Sequence, residues 1–192
     1  GPKPLVYFAV GSSGNRDLVL HVLAGLGRAD CQVLAPVRSH LRQEDLETLP
    51  RNVHVTDWIP AHQLGDAVDL AITHGGEGTV QTSCVQGWPF IGIPLQFEQR
   101  FNVQRCVAFG SARLVSQKEA RRADWAELVR QALADNGMRS RARRMAGLME
   151  GLDGPGRAAE AICELLWVSR GQSSGPVPGR WRRDTRPRPR RR

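Results

Sequence analysis

The chain has 192 residues, 41% of them hydrophobic and 24% charged, a composition typical of a globular protein. This length allows one domain with a sizeable core, and no apolar run approaches the roughly 20 residues that a membrane-spanning helix needs. The net charge of +8 comes from residues 170–192, which hold nine arginines and one aspartate. Acidic and basic residues balance over residues 1–169, so the basic character belongs to the C-terminal tail alone.

Short apolar runs alternate with helical patterns along most of the chain. The apolar runs predict strands at 5–10, 31–37, 52–59, 69–73, 90–94 and 112–115. Apolar residues at helical spacing predict helices at 18–26, 79–86, 99–109, 118–135, 138–150 and 156–168. This alternation predicts an α/β fold, a doubly wound Rossmann-like parallel sheet within one domain over residues 1–169.

The composition of residues 170–192, rich in Pro, Gly, Ser and Arg, predicts a disordered tail. Such a tail suits nucleic acid, an acidic partner or an anionic surface, and a merely solvated tail is the alternative.

The four cysteines are widely spaced, without a CxxC pair or metal-site spacing. Their apolar surroundings predict reduced core residues in a cytoplasmic protein, and the sequence gives a disulfide no positive support. The first residues hold only a short apolar run, which does not predict a signal peptide. Because the sequence begins without methionine, we expect part of a longer protein.

The segment from His74 to Thr79 holds three glycines, Gly75, Gly76 and Gly78, between the fourth predicted strand and a helix. Glycines let a ligand approach the backbone closely, and a helix N-terminus offers unpaired N–H groups and the positive end of a dipole. With the ring N–H of His74 and the hydroxyl of Thr79, this loop is predicted to bind a phosphate or diphosphate.

Two alternatives stay open around this loop. His74 taken alone fits a hydrogen-bonded structural histidine equally well. Residues 11–14, Gly-Ser-Ser-Gly after the first strand, form either a second N–H cluster or a tight turn. The G-x-G-x-x-G fingerprint of nicotinamide-binding folds and the G-K-[ST] of a P-loop are both missing, which argues against those two classes of nucleotide site.

Residues 68–106, VDLAITHGGEGTVQTSCVQGWPFIGIPLQFEQRFNVQRC, resemble the donor-binding signature of the UDP-glycosyltransferase superfamily. Within it, they are most similar to the bacterial macrolide and antibiotic glycosyltransferases. The segments FAVGSSG and NVHVTDWIPAHQL extend the resemblance, in order, over most of residues 5–168. The resemblance implies the C-terminal, donor-binding half of a GT-B fold.

Carried over residue by residue, the resemblance implies a role for each matching position. Trp58 would stack on the nucleotide base while the Ile59 backbone reads the base edge, although a core tryptophan is the alternative. Glu98 and Gln99 would accept from and donate to the sugar hydroxyls. The positions expected at the diphosphate are Ser12, Ser13, His74, Gly75, Gly76, Gly78 and Thr79.

Several positions depart from the family pattern. Glu98 stands where the family has aspartate, and Thr82 where it often has an acidic residue at the ribose. Ala61 replaces a glutamine after the Trp-x-Pro segment. Glu77 adds a negative charge to a loop meant for an anion, so it must point away, pair with a base such as Arg100, or weaken binding.

The resemblance implies transfer of a hexose from a UDP- or dTDP-sugar to an acceptor hydroxyl, of a natural product for example, with no metal and no other cofactor. The general base of the family is a histidine in an N-terminal domain, and His21, His40, His54 and His62 match no such motif. We therefore expect the chain alone to bind donor without turnover, and to need an N-terminal acceptor domain or a separate acceptor subunit.

Two other functions remain open from the sequence. One is a non-catalytic nucleotide-sugar-binding subunit, which the departures at Ala61, Thr82 and Glu77 favour. The other is an adaptor that acts through its basic tail.

Overall fold

The computed structural model of the chain describes residues 1–169. The chain divides into a compact unit, Gly1–Glu150, and a second unit that begins at Gly151. The tail predicted to be disordered, residues 170–192, lies outside the described residues. The predicted end of the folded domain at residue 169 therefore stays a prediction.

The first unit is built on a single parallel sheet of six strands. Its strand order is β3-β2-β1-β4-β5-β6, and each neighbouring pair runs parallel. The strands are β1 (Leu5–Ala9), β2 (Gln32–Ala35), β3 (Val53–Val55), β4 (Leu70–Thr73), β5 (Phe90–Gly92) and β6 (Ala112–Leu114). This arrangement confirms the predicted doubly wound α/β class, with each strand inside its predicted range.

Eight α-helices are present in residues 1–169, and seven of them belong to the first unit. In chain order these seven are α1 (Arg16–Leu26), α2 (Gln43–Leu46), α3 (Glu77–Gln86), α4 (Phe97–Phe109), α5 (Gln117–Ala120), α6 (Trp125–Ala134) and α7 (Asn136–Met149). The eighth, α8 (Gly154–Ser169), forms the described part of the second unit.

Two helix predictions were wrong. The short helix α2 lies in a polar stretch that shows no apolar periodicity, so the pattern missed it. The single helix predicted over 118–135 is divided into α5 and α6. Asp124 has extended backbone and its carboxylate accepts a hydrogen bond from Glu127 N–H at 3.4 Å, which starts a new helix there.

Alternate residues of β1 point into the two different layers that cover the sheet. Val6 and Phe8 belong to a fully buried cluster with the apolar face of α1 and with Trp125 of α6. Tyr7 and Ala9 belong to a second cluster that includes residues of α3 and α4. This period of two is the expected geometry of a strand buried on both faces.

The strand order reverses direction between β1 and β4, the central pair of the sheet. Chain order runs outward from β1 through β2 and β3 on one side, and from β4 through β5 and β6 on the other. The loops that follow β1 and β4 therefore diverge at the carboxyl edge of the sheet, which leaves a crevice between them. Such a switch point is where open α/β sheets bind ligands.

The contact between α1 and α6 supplies a stability test. A Cβ added at Gly25 would lie 2.8 Å from the Cβ of Trp125, which is fully buried. We expect Gly25→Ala to lower the free energy of unfolding by about 1–3 kcal/mol, as overpacked cores do. The control is Gly147→Ala in α7, where the added Cβ meets nothing within 4 Å. In urea denaturation, the free energy of unfolding of Gly147→Ala should equal that of the wild type or exceed it by up to about 1 kcal/mol. Equal effects of the two changes would contradict the described packing.

Candidate functional site

A pocket of about 390 Å³ opens at the carboxyl edge of the sheet, beside the switch point. Three stretches of chain supply most of its wall: the segment after β3, the end of β4 and the first turns of α3. Its lining residues are Tyr7, Trp58, Ile59, Pro60, Ala61, His62, His74, Gly76, Glu77, Gly78, Thr79 and Thr82.

Six of the predicted site residues line this pocket: Trp58, Ile59, His74, Gly76, Gly78 and Thr79. The other five, Ser12, Ser13, Gly75, Glu98 and Gln99, do not line it. A larger cavity of about 780 Å³ lies by β6, α5 and α6, but none of the predicted site residues lines it. Its wall mixes acidic and basic side chains without a common chemistry, so the smaller pocket is the better candidate.

β3 ends at Val55, four residues earlier than the sequence pattern predicts, so Trp58 lies in the segment that follows the strand. Its side chain is 78% exposed, so the alternative of a core tryptophan is wrong. An exposed, flat indole on the wall of a pocket is suited to stack on a planar ring of a ligand.

The ring of His74 is held between two glycines, one from each loop of the switch point. A Cβ at Gly11 would lie 2.8 Å from His74 Cε1, and a Cβ at Gly76 would overlap His74 Nε2. Only glycine at both positions leaves room for the imidazole, which is 7% exposed. The histidine thus fixes the loop after β4 against the loop after β1.

Burial also controls the charge of His74. Its pKa is lowered from the ordinary 6.5 by burial, while the Ala9 carbonyl and the Glu98 carboxylate act in the opposite direction. The ring is therefore neutral at pH 7 and carries one N–H. Its Nδ1 atom is buried and has no hydrogen-bond partner among residues 1–169.

A chain of hydrogen bonds shapes the glycine-rich loop. Thr73 Oγ1 donates to Thr79 Oγ1 at 2.7 Å, and Thr79 Oγ1 donates in turn to the Gly76 carbonyl at 2.9 Å. The hydroxyl proton of Thr79 is thus engaged within the loop, and its expected donation to a phosphate would require this bond to break. The N–H groups of Glu77 and Gly78, in the first turn of α3, have no acceptor within their own helix.

Gln99 connects the loop after β5 with the loop after β1. Its side chain is 3% exposed, and its Oε1 accepts from the backbone N–H groups of Leu95 and Gln96 at 2.9 and 3.1 Å. Its Nε2 donates to Ser13 Oγ at 3.2 Å. The structure therefore brings Gln99 and Ser13 together outside the pocket wall, whereas Ser12 is exposed.

Two residues without a predicted role, Asn102 and His40, connect the loops at the carboxyl edge of the sheet. Asn102 Nδ2 donates to Glu98 Oε1 and to the Gly75 carbonyl, each at 3.1 Å, and so ties α4 to the glycine-rich loop. The spacing of four residues between Glu98 and Asn102 on one helix could have indicated that their side chains meet. His40 Nε2 lies 2.7 Å from the Gly11 carbonyl, a contact that no motif indicates.

Three of the four departures from the family pattern, Glu77, Thr82 and Ala61, lie on the pocket wall, whereas Glu98 does not. Glu77 is exposed, and it forms no ion pair within 4 Å in the described part of the chain, so the suggested pairing with Arg100 is not formed. Thr82 donates its hydroxyl to the Gly78 carbonyl at 2.8 Å. Ala61 begins a short 3₁₀ turn and offers no polar group to the pocket.

Across residues 1–169, no group of three or more His, Cys, Asp or Glu side chains is arranged to hold a metal ion. In the same part of the chain, no helix has both the length and the apolar character to cross a membrane.

The fold and pocket define a doubly wound α/β domain with a ligand crevice at its switch point. Residues 20–165 match the family model described as the erythromycin biosynthesis protein CIII-like, C-terminal domain, and the chain belongs to this family. In solved structures, this fold is that of the C-terminal domain of GT-B antibiotic glycosyltransferases.

Two curated relatives illustrate the sequence similarity. The oleandomycin glycosyltransferase of Streptomyces antibioticus is 34% identical over 140 residues, covering 71% of this chain and 31% of that protein. A PGL/p-HBAD biosynthesis glycosyltransferase of Mycobacterium tuberculosis is 29% identical over 146 residues, covering 75% and 33%. The chain thus spans about a third of the length of these relatives.

Two solved structures illustrate the similarity of fold. The calicheamicin glycosyltransferase CalG4 matches with a TM-score of 0.75 at 24% identity, over 88% of this chain and 45% of that one. The glycosyltransferase VinC, solved in complex with dTDP, matches with a TM-score of 0.70 at 21% identity, over 90% and 43%.

The lowered pKa of His74 makes stability depend on pH. The unfolded chain binds a proton at this histidine more readily than the folded protein does, so the His74 contribution is present above about pH 6.5 and is lost as the pH falls through the folded-state pKa. We expect the wild type to lose more free energy of unfolding between about pH 7 and about pH 5 than His74→Asn does. His21→Asn, which removes an exposed histidine, is the control, and parallel pH profiles for all three proteins would contradict the assignment.

Proposed function

We propose that the chain is the donor-binding half of a nucleotide-sugar-dependent glycosyltransferase. The complete enzyme would move a hexose from a UDP- or dTDP-sugar to a hydroxyl of a natural-product acceptor. Family membership and the glycosyltransferase functions of the relatives support the proposal. The observation that carries it is a single pocket that joins the exposed indole of Trp58 to the glycine-rich N-terminus of α3.

The pocket wall offers the two kinds of contact that a nucleoside diphosphate needs. Trp58 supplies a stacking face for the pyrimidine, with the backbone of Ile59 beside it. The N–H groups at the start of α3 and the positive end of its dipole suit the diphosphate. Base and diphosphate would thus lie at opposite ends of one crevice.

Gly78 supports this placement of the diphosphate. It lies in the first turn of α3, where glycine costs helix stability relative to alanine. A Cβ at Gly78 would meet nothing within 4 Å, so packing within the described chain does not require glycine there. Close approach of a ligand to the backbone would explain it.

In the proposed reaction, negative charge develops on the leaving diphosphate next to the N-terminus of α3. As the bond between the sugar C1 and the diphosphate oxygen breaks, negative charge develops on the leaving diphosphate. The fixed N–H groups of Glu77 and Gly78, together with one N–H from neutral His74, would stabilise that charge without needing to reorganise. We assign His74 to phosphate binding and not to base catalysis.

Sugar recognition is assigned to the start of α4. The Glu98 carboxylate is exposed and is oriented by Asn102 at 3.1 Å, so its second oxygen can accept from a sugar hydroxyl. Gln99 Oε1 already accepts two backbone N–H groups, so this oxygen is not assigned to the sugar. One N–H of the Gln99 side chain is assigned to donate to a sugar hydroxyl, while its bond to Ser13 positions the loop after β1.

The acceptor and the general base are assigned to a protein part that this chain does not supply, either an N-terminal acceptor domain or a separate subunit. The share of the relatives that the chain covers supports this assignment. So does an aromatic pair on α4, Phe97 and Phe101, which are 90% and 59% exposed and lie one helical turn apart beside Glu98. Exposed aromatic side chains of this size favour burial against a partner.

A non-catalytic nucleotide-sugar-binding subunit is the second candidate. Glu77 favours it, because an unpaired carboxylate on the pocket wall repels a diphosphate. Thr82 and Ala61 favour it too, since neither supplies a charged contact to the ribose or base. An adaptor function of the basic tail concerns residues outside the described part of the chain.

Trp58 and Gly78 provide the test of donor binding by this chain. We expect Trp58→Ala to weaken binding of UDP and dTDP by about tenfold, because stacking on an aromatic ring contributes about 1–3 kcal/mol per base. We expect Gly78→Ala to weaken binding by at least about tenfold without lowering stability, since its methyl group would occupy ligand space and not protein space. Isothermal titration calorimetry measures both affinities.

Gly147→Ala is the matched control for Gly78→Ala, because it adds the same methyl group to a helix without neighbours within 4 Å. It should leave nucleotide affinity unchanged. Absence of UDP and dTDP binding by the wild type at millimolar concentration would refute the proposal. If Gly78→Ala binds the nucleotides with unchanged affinity, the diphosphate does not lie against the N-terminus of α3.

Glu77 provides a second test. The direction in which dTDP affinity changes in Glu77→Gln shows whether the carboxylate repels the diphosphate or accepts a hydrogen bond from the ligand. If the carboxylate only repels the diphosphate, Glu77→Gln raises affinity for dTDP by about threefold to tenfold at low salt, and the gain shrinks in about 0.5 M NaCl. We expect this result. Glu47→Gln removes the same charge from an exposed site outside the pocket and is the control. Weaker binding by Glu77→Gln would show instead that the carboxylate accepts a hydrogen bond from the ligand.

A further inference from the structure

Two of the four cysteines face each other between the helices that begin beside the pocket. Cys84 of α3 and Cys106 of α4 are free thiols whose Sγ atoms lie 3.8 Å apart. Cys106 is 5% exposed within the core cluster that covers one face of the sheet, whereas Cys84 is partly exposed at its margin. The sequence, in which these residues lie 22 positions apart, gives no sign of this contact.

The two thiols are already oriented toward each other. Either sulfur can donate to the other across this contact, so a thiolate on one cysteine can accept a hydrogen bond from the thiol of its neighbour. A disulfide has an S–S distance of about 2.05 Å, so the sulfur atoms must approach by roughly 1.8 Å. Small rotations of two side chains on adjacent helices supply such a movement.

We propose that Cys84 and Cys106 form a modification site, at which a low-molecular-weight disulfide of the oxidised-glutathione class produces an intrachain disulfide between α3 and α4. The partly exposed Cys84 thiol loses its proton, and the resulting thiolate attacks RSSR to form a mixed disulfide as the first RS⁻ leaves. The Cys106 thiolate then attacks Cys84 Sγ and expels the second RS⁻. The two thiol protons pass to the leaving thiolates, so the protein loses two hydrogens and RSSR becomes two RSH.

The crosslink would join the two helices on which the pocket edge depends. The first turn of α3 lines the pocket, and α4 carries Glu98 and Asn102, which holds the Gly75 carbonyl. A bond between Cys84 and Cys106 fixes the spacing of these helices beneath the loop. The inference rests on sulfur geometry and holds whether or not the chain binds a nucleotide-sugar.

The other two cysteines provide internal controls. Cys31 is fully buried in the opposite core cluster, and Cys163 is an exposed residue of α8. Cys84→Ser and Cys106→Ser each remove one partner of the proposed pair. Cys163→Ser removes the exposed thiol that glutathione would reach most easily, while the pair stays intact.

The test treats the folded wild-type chain with oxidised glutathione, quenches it with acid, and maps the peptides by mass spectrometry without reduction. We expect a peptide pair linked through Cys84 and Cys106, with loss of two hydrogens, in the wild type and in Cys163→Ser. We also expect the oxidised protein to melt about 5 °C higher than the reduced protein, because the bond closes a loop between positions 84 and 106 and so lowers the entropy of the unfolded chain. Dithiothreitol should reverse both changes.

Cys84→Ser and Cys106→Ser should show neither the linked peptide nor the rise in melting temperature. Glutathione retained on Cys84 without a link to Cys106 would overturn the proposal. So would crosslinks confined to Cys163 between two chains, or four unmodified thiols after prolonged treatment. These outcomes are read from the wild type itself, so they do not depend on whether either serine variant folds.

Discussion

The candidate site depends on the packing of one imidazole against two glycines. His74 closes the end of β4, and its ring occupies the space that a side chain at Gly11 or Gly76 would fill. This contact fixes the loop after β1 against the loop after β4 at the point where the strand order reverses. The same burial lowers the pKa of His74 and keeps the ring neutral at pH 7, and the ring packs against Gly76, the N-cap residue of α3.

A second set of polar contacts connects the glycine-rich loop and the loop after β1 to α4. Gln99 connects the loop after β5 to Ser13, and Asn102 connects Glu98 to the Gly75 carbonyl. The proposed base, diphosphate and sugar contacts thus come from loops that are fastened to one another at the carboxyl edge of the sheet. Preorganisation of this kind is what stabilisation of a leaving diphosphate requires.

The sequence was sufficient to predict the sheet and much of the pocket wall, because buried parallel strands are continuous apolar runs and glycine-rich loops have few structural uses. It could not predict α2, which lacks apolar periodicity, or the break at Asp124, which depends on a cap. The hydrogen bond of Gln99 to Ser13 and the contact of Cys84 with Cys106 depend on tertiary placement that no sequence spacing encodes.

The most direct measurement of the central claim is an amide NMR titration of the chain with dTDP. We expect the largest shift changes at the backbone N–H groups of Gly76, Glu77 and Gly78 and at the indole N–H of Trp58, with smaller changes along the rest of α3. Saturable changes confined to other surfaces, or changes at Trp58 without any at the start of α3, would contradict binding of the diphosphate at this helix.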